Sequence, residues 1–175
     1  MYSKEVAIPE GITADVSGNK VKTAGQKGSL EKTFIMAPGM RMQKSDSKIV
    51  ITVESERKKV RAIVGTVAAH IRNMIDGVTS GYSYRLRICY SHFPVTVKIE
   101  KDKVVIQNFL GSRTPRVAQI LSGVEVKAEG SDIVVTGIDV DKVSQTAANI
   151  EQACRIVGFD KRRFQDGIFL VSREG

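Results

Sequence analysis

The chain repeats itself, and a duplicated unit settles the architecture before any single motif is weighed. Ile12-Thr13-Ala14-Asp15-Val16, followed by Gly18-Asn19-Lys20-Val21, aligns with Val95-Thr96-Val97-Lys98-Ile99, followed by Lys101-Asp102-Lys103-Val104. In both stretches an alternating strand runs into a polar turn and then into a second strand. Gly28-Ser29 falls at the same spacing as Gly111-Ser112, which predicts a glycine loop after the first hairpin of each copy. Ile49-Val50-Ile51-Thr52 matches Ile133-Val134-Val135-Thr136, two β-branched runs that suit a pleated surface and each precede a helical pattern. Ala68-Ala69-His70-Ile71 answers Ala147-Ala148-Asn149-Ile150 within those helical patterns. Apolar residues recur there every three or four positions: Val60, Ile63, Val64, Val67, Ile71 and Ile75 in the first copy, and Val143, Ala147, Ile150 and Cys154 in the second. Each helix can therefore cover one face of its own sheet.

Two such units describe an α+β protein of two tandem similar domains, each an antiparallel or mixed sheet with a helix packed on one face. The expected domains are residues 1–79 and 80–175. Asp76-Gly77-Val78-Thr79-Ser80-Gly81 is the natural joint, because the segment is small and polar and glycine can end the first helix in a left-handed cap. The second copy opens with Tyr82-Ser83-Tyr84-Arg85-Leu86-Arg87-Ile88, an alternating strand with basic side chains on one face. Asp166-Gly167 reads as the turn into a closing strand from Ile168 to Val171, with Asp166 also able to orient an arginine. A length of 175 residues, 42% of them hydrophobic, suffices for two small packed cores.

Against 27 lysines and arginines stand 19 acidic residues, a formal charge of +8, so the partner is expected to be a polyanion, either nucleic acid or an acidic membrane surface. No run approaches the ~20 apolar residues that cross a bilayer. Met1-Tyr2-Ser3-Lys4-Glu5 lacks the apolar stretch of a signal peptide, and a soluble intracellular protein is expected. Cys89 and Cys154 sit singly in apolar-rich segments and read as reduced core residues rather than disulfide partners or zinc ligands.

Catalysis has little to stand on. His70 and His92 are the only histidines, and neither has a serine, cysteine or carboxylate at a familiar nucleophile or metal spacing. The carboxylates are scattered singly, as on solvated faces, so no catalytic residue, metal or cofactor is expected. Gly25-Gln26-Lys27-Gly28-Ser29 fails the spacing of a phosphate loop and reads as a turn, an RNA-backbone contact through Lys27 being the lesser alternative.

Three basic clusters are more suggestive. Arg57-Lys58-Lys59 with Arg61 opens the first helix, Gly111-Ser112-Arg113-Thr114-Pro115-Arg116 forms a loop of the second copy, and Lys161-Arg162-Arg163-Phe164 follows the last helix. Guanidinium forks match phosphate oxygens, and released counterions drive association. Each cluster taken alone reads equally as a solvated face. Aromatic content of 6% without tryptophan argues against stacking of unpaired bases; recognition of folded, double-helical RNA through shape, phosphates and 2′-hydroxyls fits better. Phe164 reads as a packing anchor.

Several ordered segments carry a resemblance. His70-Ile71-Arg72-Asn73-Met74-Ile75-Asp76-Gly77-Val78-Thr79 with Gly81-Tyr82, Tyr90-Ser91-His92-Phe93-Pro94-Val95, Asn108-Phe109-Leu110-Gly111, Glu129-Gly130-Ser131-Asp132-Ile133 and Ala147-Ala148-Asn149-Ile150-Glu151-Gln152-Ala153 follow in order. With Arg162-Arg163-Phe164-Gln165-Asp166-Gly167-Ile168-Phe169-Leu170 and an initial Ile8-Pro9-Glu10, they resemble protein six of the large ribosomal subunit in its archaeal and eukaryotic form, over nearly the whole chain. The resemblance implies two tandem α+β domains and no enzymatic activity. It also implies a cytoplasmic, ribosomal position near the translation-factor-binding region, the second domain lying beside the sarcin–ricin loop as the main RNA-binding half. The implied partners are large-subunit rRNA, neighbouring large-subunit proteins and, nearby, translation factors, without a membrane or a cofactor. Phe159 and Ser112 depart from the family, which often has a basic and an acidic residue there. Charge and resemblance together nominate Arg113, Arg116, Lys161, Arg162, Arg163 and Arg173 as RNA-binding. The competing readings are a ferredoxin-like enzyme or metabolite-regulated domain, and a free RNA-binding regulator outside the ribosome.

Overall fold

A computed structural model describes residues 2–55 and 57–175. The chain divides into two compact units between Gly81 and Tyr82, where the sequence put the joint between Thr79 and Ser80. The first unit carries strands β1 (Tyr2–Ala7), β2 (Thr13–Ser17), β3 (Lys20–Gly25), β4 (Gly28–Thr33), β5 (Met40–Ser45) and β6 (Lys48–Val53), then helix α1 (Lys58–Thr79). The second carries β7 (Tyr82–Cys89), β8 (Thr96–Glu100), β9 (Lys103–Gln107), β10 (Arg116–Gln119), β11 (Val124–Glu129), β12 (Asp132–Gly137), α2 (Val140–Ala153) and β13 (Gly167–Glu174).

The two units share one topology. Sheets ordered β1-β6-β5 and β2-β3-β4 in the first correspond to β7-β12-β11 and β8-β9-β10 in the second, all antiparallel. The second unit then adds β13 along the free side of β7. The ladders agree at the level of single hydrogen bonds: the Ile8 amide donates to the Ser47 carbonyl at 2.7 Å, and the Ile88 amide to the Ser131 carbonyl at 2.8 Å. This is the α+β fold of paired similar domains that the repeat predicts.

Alternation decides which faces are buried. Val6, Ile49, Ile51 and Val53 turn inward from β1 and β6 against Val64, Val67, Ala68, Ile71 and Ile75 of α1. In the second unit Leu86, Ile133, Val135 and Ile168 meet Val143, Ala147 and Ile150 of α2, with Val104, Ile106 and Phe109 completing the core. Each fully buried aliphatic side chain contributes roughly 1.5–3 kcal/mol. The predicted stripe of α1 holds from Val64 onward, but Val60 is half-buried and Ile63 exposed. Asp139 caps α2 by accepting from the Asp141 amide at 3.0 Å.

Several local expectations are corrected. Of the two glycines in the expected joint, Gly81 makes the left-handed turn that ends α1, at φ +76°, while Gly77 lies inside the helix on its buried side. The glycine loops of the two copies are not equivalent. β3 and β4 are joined by Gln26-Lys27 alone, whereas β9 and β10 are separated by residues 108–115, which include a short turn at Phe109–Gly111 with Asn108, Leu110 and Gly111 all at positive φ. Gly167 starts β13 rather than shaping a turn, and buried Asp166 holds no arginine: its Oδ1 accepts no hydrogen bond from any described residue. Cys154 is buried as expected, but Cys89 is only half-buried.

The hairpin at Gln26-Lys27 has a structural task. The Lys27 amide donates to the Val78 carbonyl at 3.0 Å, satisfying an acceptor at the last turn of α1. Gly25 permits that approach, since a β-carbon there would stand 2.7 Å from the Val78 carbonyl oxygen. Gly25→Ala is expected to lower stability by about 1–3 kcal/mol, read as a shift of the urea midpoint at unchanged slope. Because the second unit contains its own sheet, helix and core, residues 82–175 expressed alone should unfold cooperatively by circular dichroism; a broad, non-cooperative melt would contradict its independence.

Candidate nucleic-acid interface

One end of the second unit gathers three segments that are far apart in sequence: the exit of β7 (Cys89 to Val95), the β9–β10 loop (108–115) and the stretch after α2 (154–166). Arg116 makes the central tie. Its Nη1 donates to the Ala153 carbonyl at 2.9 Å and to the Arg155 carbonyl at 2.8 Å, while the guanidinium carbon lies 4.5 Å from the centre of the Phe109 ring. The side chain thus joins the foot of the loop to the C-terminus of α2, where unsatisfied carbonyls favour a cation. Asn108 Nδ2 donates to the Pro94 carbonyl at 3.0 Å. The Phe93 ring packs on Gly111 so closely that a β-carbon there would sit 3.3 Å from it.

The loop above this base is exposed. Arg113 projects from it, and Ser112 Oγ accepts from the Thr114 amide at 3.3 Å, a local turn that shapes the tip. After α2, residues 160–164 form one helical turn in which the Arg163 and Phe164 amides both donate to the Asp160 carbonyl. Lys161, Arg162 and Arg163 are exposed on this turn. Arg162 forks onto Asp160, with Nη2 3.0 Å from Oδ2, and its backbone amide donates to Oδ1 at 3.0 Å. The Arg162 side chain, then its amide, hold the Asp160 carboxyl below its usual range. Phe164 packs against the core and meets the Phe159 ring at 4.9 Å, so it anchors the turn as the sequence suggests. Phe159 itself remains half-exposed.

Arg173 stands apart from these residues. It pairs in register with Tyr84, six positions along β13 from Gly167, which at strand rise is roughly 20 Å away, and its guanidinium lies 5.7 Å from the Tyr84 ring centre. The structure therefore brings together Arg113, Arg116, Lys161, Arg162 and Arg163, and sets Arg173 at the opposite end of the sheet. The basic side chains predicted on one face of β7, Arg85 and Arg87, both reach Asp132, at 3.7 and 2.9 Å. The Arg87 hydrogen bond, outweighing partial burial, lowers the Asp132 pKa, and Asp132 in turn raises that of Arg87. One carboxylate thus serves two guanidinium groups, which compensates that basic face only in part.

Between the β7 exit and the turn lies a cleft of about 760 Å³, bordered by Tyr90, Arg155, Lys161, Phe164 and Asp166. Among the described residues no three histidines, cysteines or carboxylates are grouped to hold a metal, and no helix is long and apolar enough to cross a membrane.

With this geometry in hand, similarity to known proteins is decisive. The profile of the family described as ribosomal protein L6 matches residues 8–81 and again residues 93–167, one match for each unit. The chain belongs to the ribosomal protein L6 family. It is 49% identical over 173 residues to large ribosomal subunit protein uL6 of Ignicoccus hospitalis, covering 97% of this chain and 93% of the relative. It is 47% identical to the uL6 proteins of Aeropyrum pernix (98% of this chain, 94% of the relative) and Methanothrix thermoacetophila (97% and 96%). The two matches of the L6 profile agree with the duplication seen in strand order and hydrogen-bond register.

Within this L6-family fold, sequence reasoning missed Arg155 beside the basic turn, the packing of Phe159 on Phe164, and the carbonyl-binding role of Arg116. The run Cys154-Arg155-Ile156-Val157-Gly158-Phe159 was a usable signal for the first two, since apolar residues break from helical spacing there and leave the intervening side chains exposed. Removing the Arg116 fork by Arg116→Ala should cost about 1.5–3 kcal/mol of stability in thermal or urea unfolding, and Arg116→Lys should not restore it, because an ammonium lacks the planar fork. Burial pushes the Cys154 thiol up to about 12. At pH 8 it should resist a thiol reagent until the chain unfolds, while half-buried Cys89 reacts earlier; equal rates would contradict the packing around α2.

Proposed function

We propose that this chain is a structural constituent of the large ribosomal subunit, a non-catalytic protein that binds folded large-subunit rRNA and stabilises its tertiary structure in the cytoplasmic ribosome. Its relatives bear the name of large-subunit proteins, and near-complete coverage of both chains supports the same role here. The finer reading, from resemblance, is a site near the sarcin–ricin loop and the translation-factor-binding region, beside neighbouring large-subunit proteins, with the second unit as the main RNA-binding half. No cofactor or membrane enters this role.

The observation that carries the reading is the cationic end of the second unit. Arg113, Lys161 and Arg163 are exposed, and among the described residues none forms an ion pair with them. Arg162 is held by Asp160 in the open, with its side chain 90% exposed, poised to exchange a carboxylate for a phosphate. Arg116 positions the loop from beneath, so it contributes to binding through geometry. Arg173, remote from the cluster, serves a separate phosphate along the strand. Contacts of this kind fix a protein's register on RNA without reading bases. The nearly complete L6 match favours this reading over a ferredoxin-like enzyme, a metabolite-regulated domain or a free RNA-binding regulator.

Arg162→Ala combined with Arg163→Ala should weaken binding to a large-subunit rRNA fragment by roughly 1–3 kcal/mol and reduce the salt slope by about 1–2, as for lost phosphate contacts. An unchanged slope would remove both residues from the interface.

A further inference from the structure

The second unit shows what the first lacks. β13 closes the outer edge of β7, whereas among the described residues β1, the counterpart of β7, pairs with β6 alone. The equivalence is residue by residue. The Ile8–Ser47 and Ile88–Ser131 bonds fix the same register, so Tyr2, Lys4 and Val6 correspond to Tyr82, Tyr84 and Leu86 and point their backbone groups at the inner neighbour. Ser3, Glu5 and Ala7 correspond to Ser83, Arg85 and Arg87, whose backbone groups face β13. In the first unit those of Ser3, Glu5 and Ala7 face outward along an open edge.

The helix above that edge is cationic. Arg61 lies 4.6 Å from the Tyr2 ring centre, and Lys4 Nζ is 4.0 Å from where a β-carbon on Gly65 would stand, so this flank of α1 overlies β1. Lys58, Arg61 and Arg72 share the flank at spacings of three, four and seven about Gly65, and all three are exposed.

We propose that β1 accepts an antiparallel strand from another protein, an extended segment with acidic residues at the alternate positions facing α1. Its backbone would occupy the place that β13 takes beside β7, and its carboxylates would meet Lys4, Arg61 and Arg72. A second copy adding through its own β1 would line up Lys4 and Arg61 of both chains along one seam, which disfavours self-pairing. RNA is disfavoured as well, because the outward carbonyls that alternate with the amides repel phosphate. The inference is independent of rRNA binding by the second unit.

The test uses the full chain and short synthetic peptides in which valine alternates with glutamate or, as a control, with lysine. Amide exchange is followed by NMR at β1. The glutamate peptide should slow Ser3, Glu5 and Ala7 by about tenfold or more, leaving Lys4 and Val6 unchanged, and the lysine peptide should slow them far less. Glu5→Pro, which removes an outward donor, should abolish the slowing at Ser3 and Ala7. Arg61→Glu leaves the backbone intact and should shift preference toward the lysine peptide. No slowing at saturating peptide, equal slowing by both peptides, or slowing produced by protein concentration or by an rRNA fragment alone would overturn the proposal.

Discussion

Each unit is held by the antiparallel ladder between its first strand and the strand that precedes its helix. In the first unit this is β1 on β6, in the second β7 on β12, and one amide–carbonyl bond, Ile8 to Ser47 or Ile88 to Ser131, sets the register in both. A slip of one residue would turn Val6 and Ile51, or Leu86 and Ile133, out of the core and expose the apolar stripe of the helix. The ladder joins residues distant in sequence, so it closes the unit and gives the intervening hairpins a fixed base. Everything displayed at the ends of the sheets is positioned from that base.

The duplicated frame carries different loops. In the first unit the Gln26-Lys27 turn is too short to do more than seat the end of α1. At the corresponding place in the second unit the chain opens into residues 108–115, and Arg116 anchors the loop by gripping carbonyls at the end of α2. A side chain that reads as one more cation in the sequence thereby becomes the fixture on which exposed Arg113 and the Lys161-Arg162-Arg163 turn depend. Positive charge is divided between residues that build the surface and residues that face outward from it. Only the second kind is available to a polyanion.

The repeat, both helices, the β2–β3 and β8–β9 hairpins, β6, β7, β12 and the closing strand were legible because strongly apolar or β-branched residues mark their periods. β1, β4, β5, β10 and β11 were not. β4 reads Gly-Ser-Leu-Glu-Lys-Thr without a fully buried residue, and β5 buries only Met40 and Met42, on either side of Arg41, a weak strand signal. Val126 alone is buried in β11. The joint at Asp76–Gly81 did not say which glycine ends the helix, because a glycine inside a helix costs only about 1 kcal/mol and Gly77 is tolerated on the buried side. For the site, exposure of Arg113, Lys161 and Arg163 follows from their polar loops. The Arg116 grip spans 37 residues to Ala153, and the ion pairs of Arg85 and Arg87 span the sheet, so neither leaves a local trace.

The proposed role unites these features: a duplicated fold whose second unit offers positive side chains to structured RNA within a larger particle. Sedimentation of the tagged chain in cell extract measures this directly. It should travel with large ribosomal subunits through a sucrose gradient at physiological salt and remain there after small-molecule pools are removed. Recovery in the light fractions, free of subunits, would contradict it.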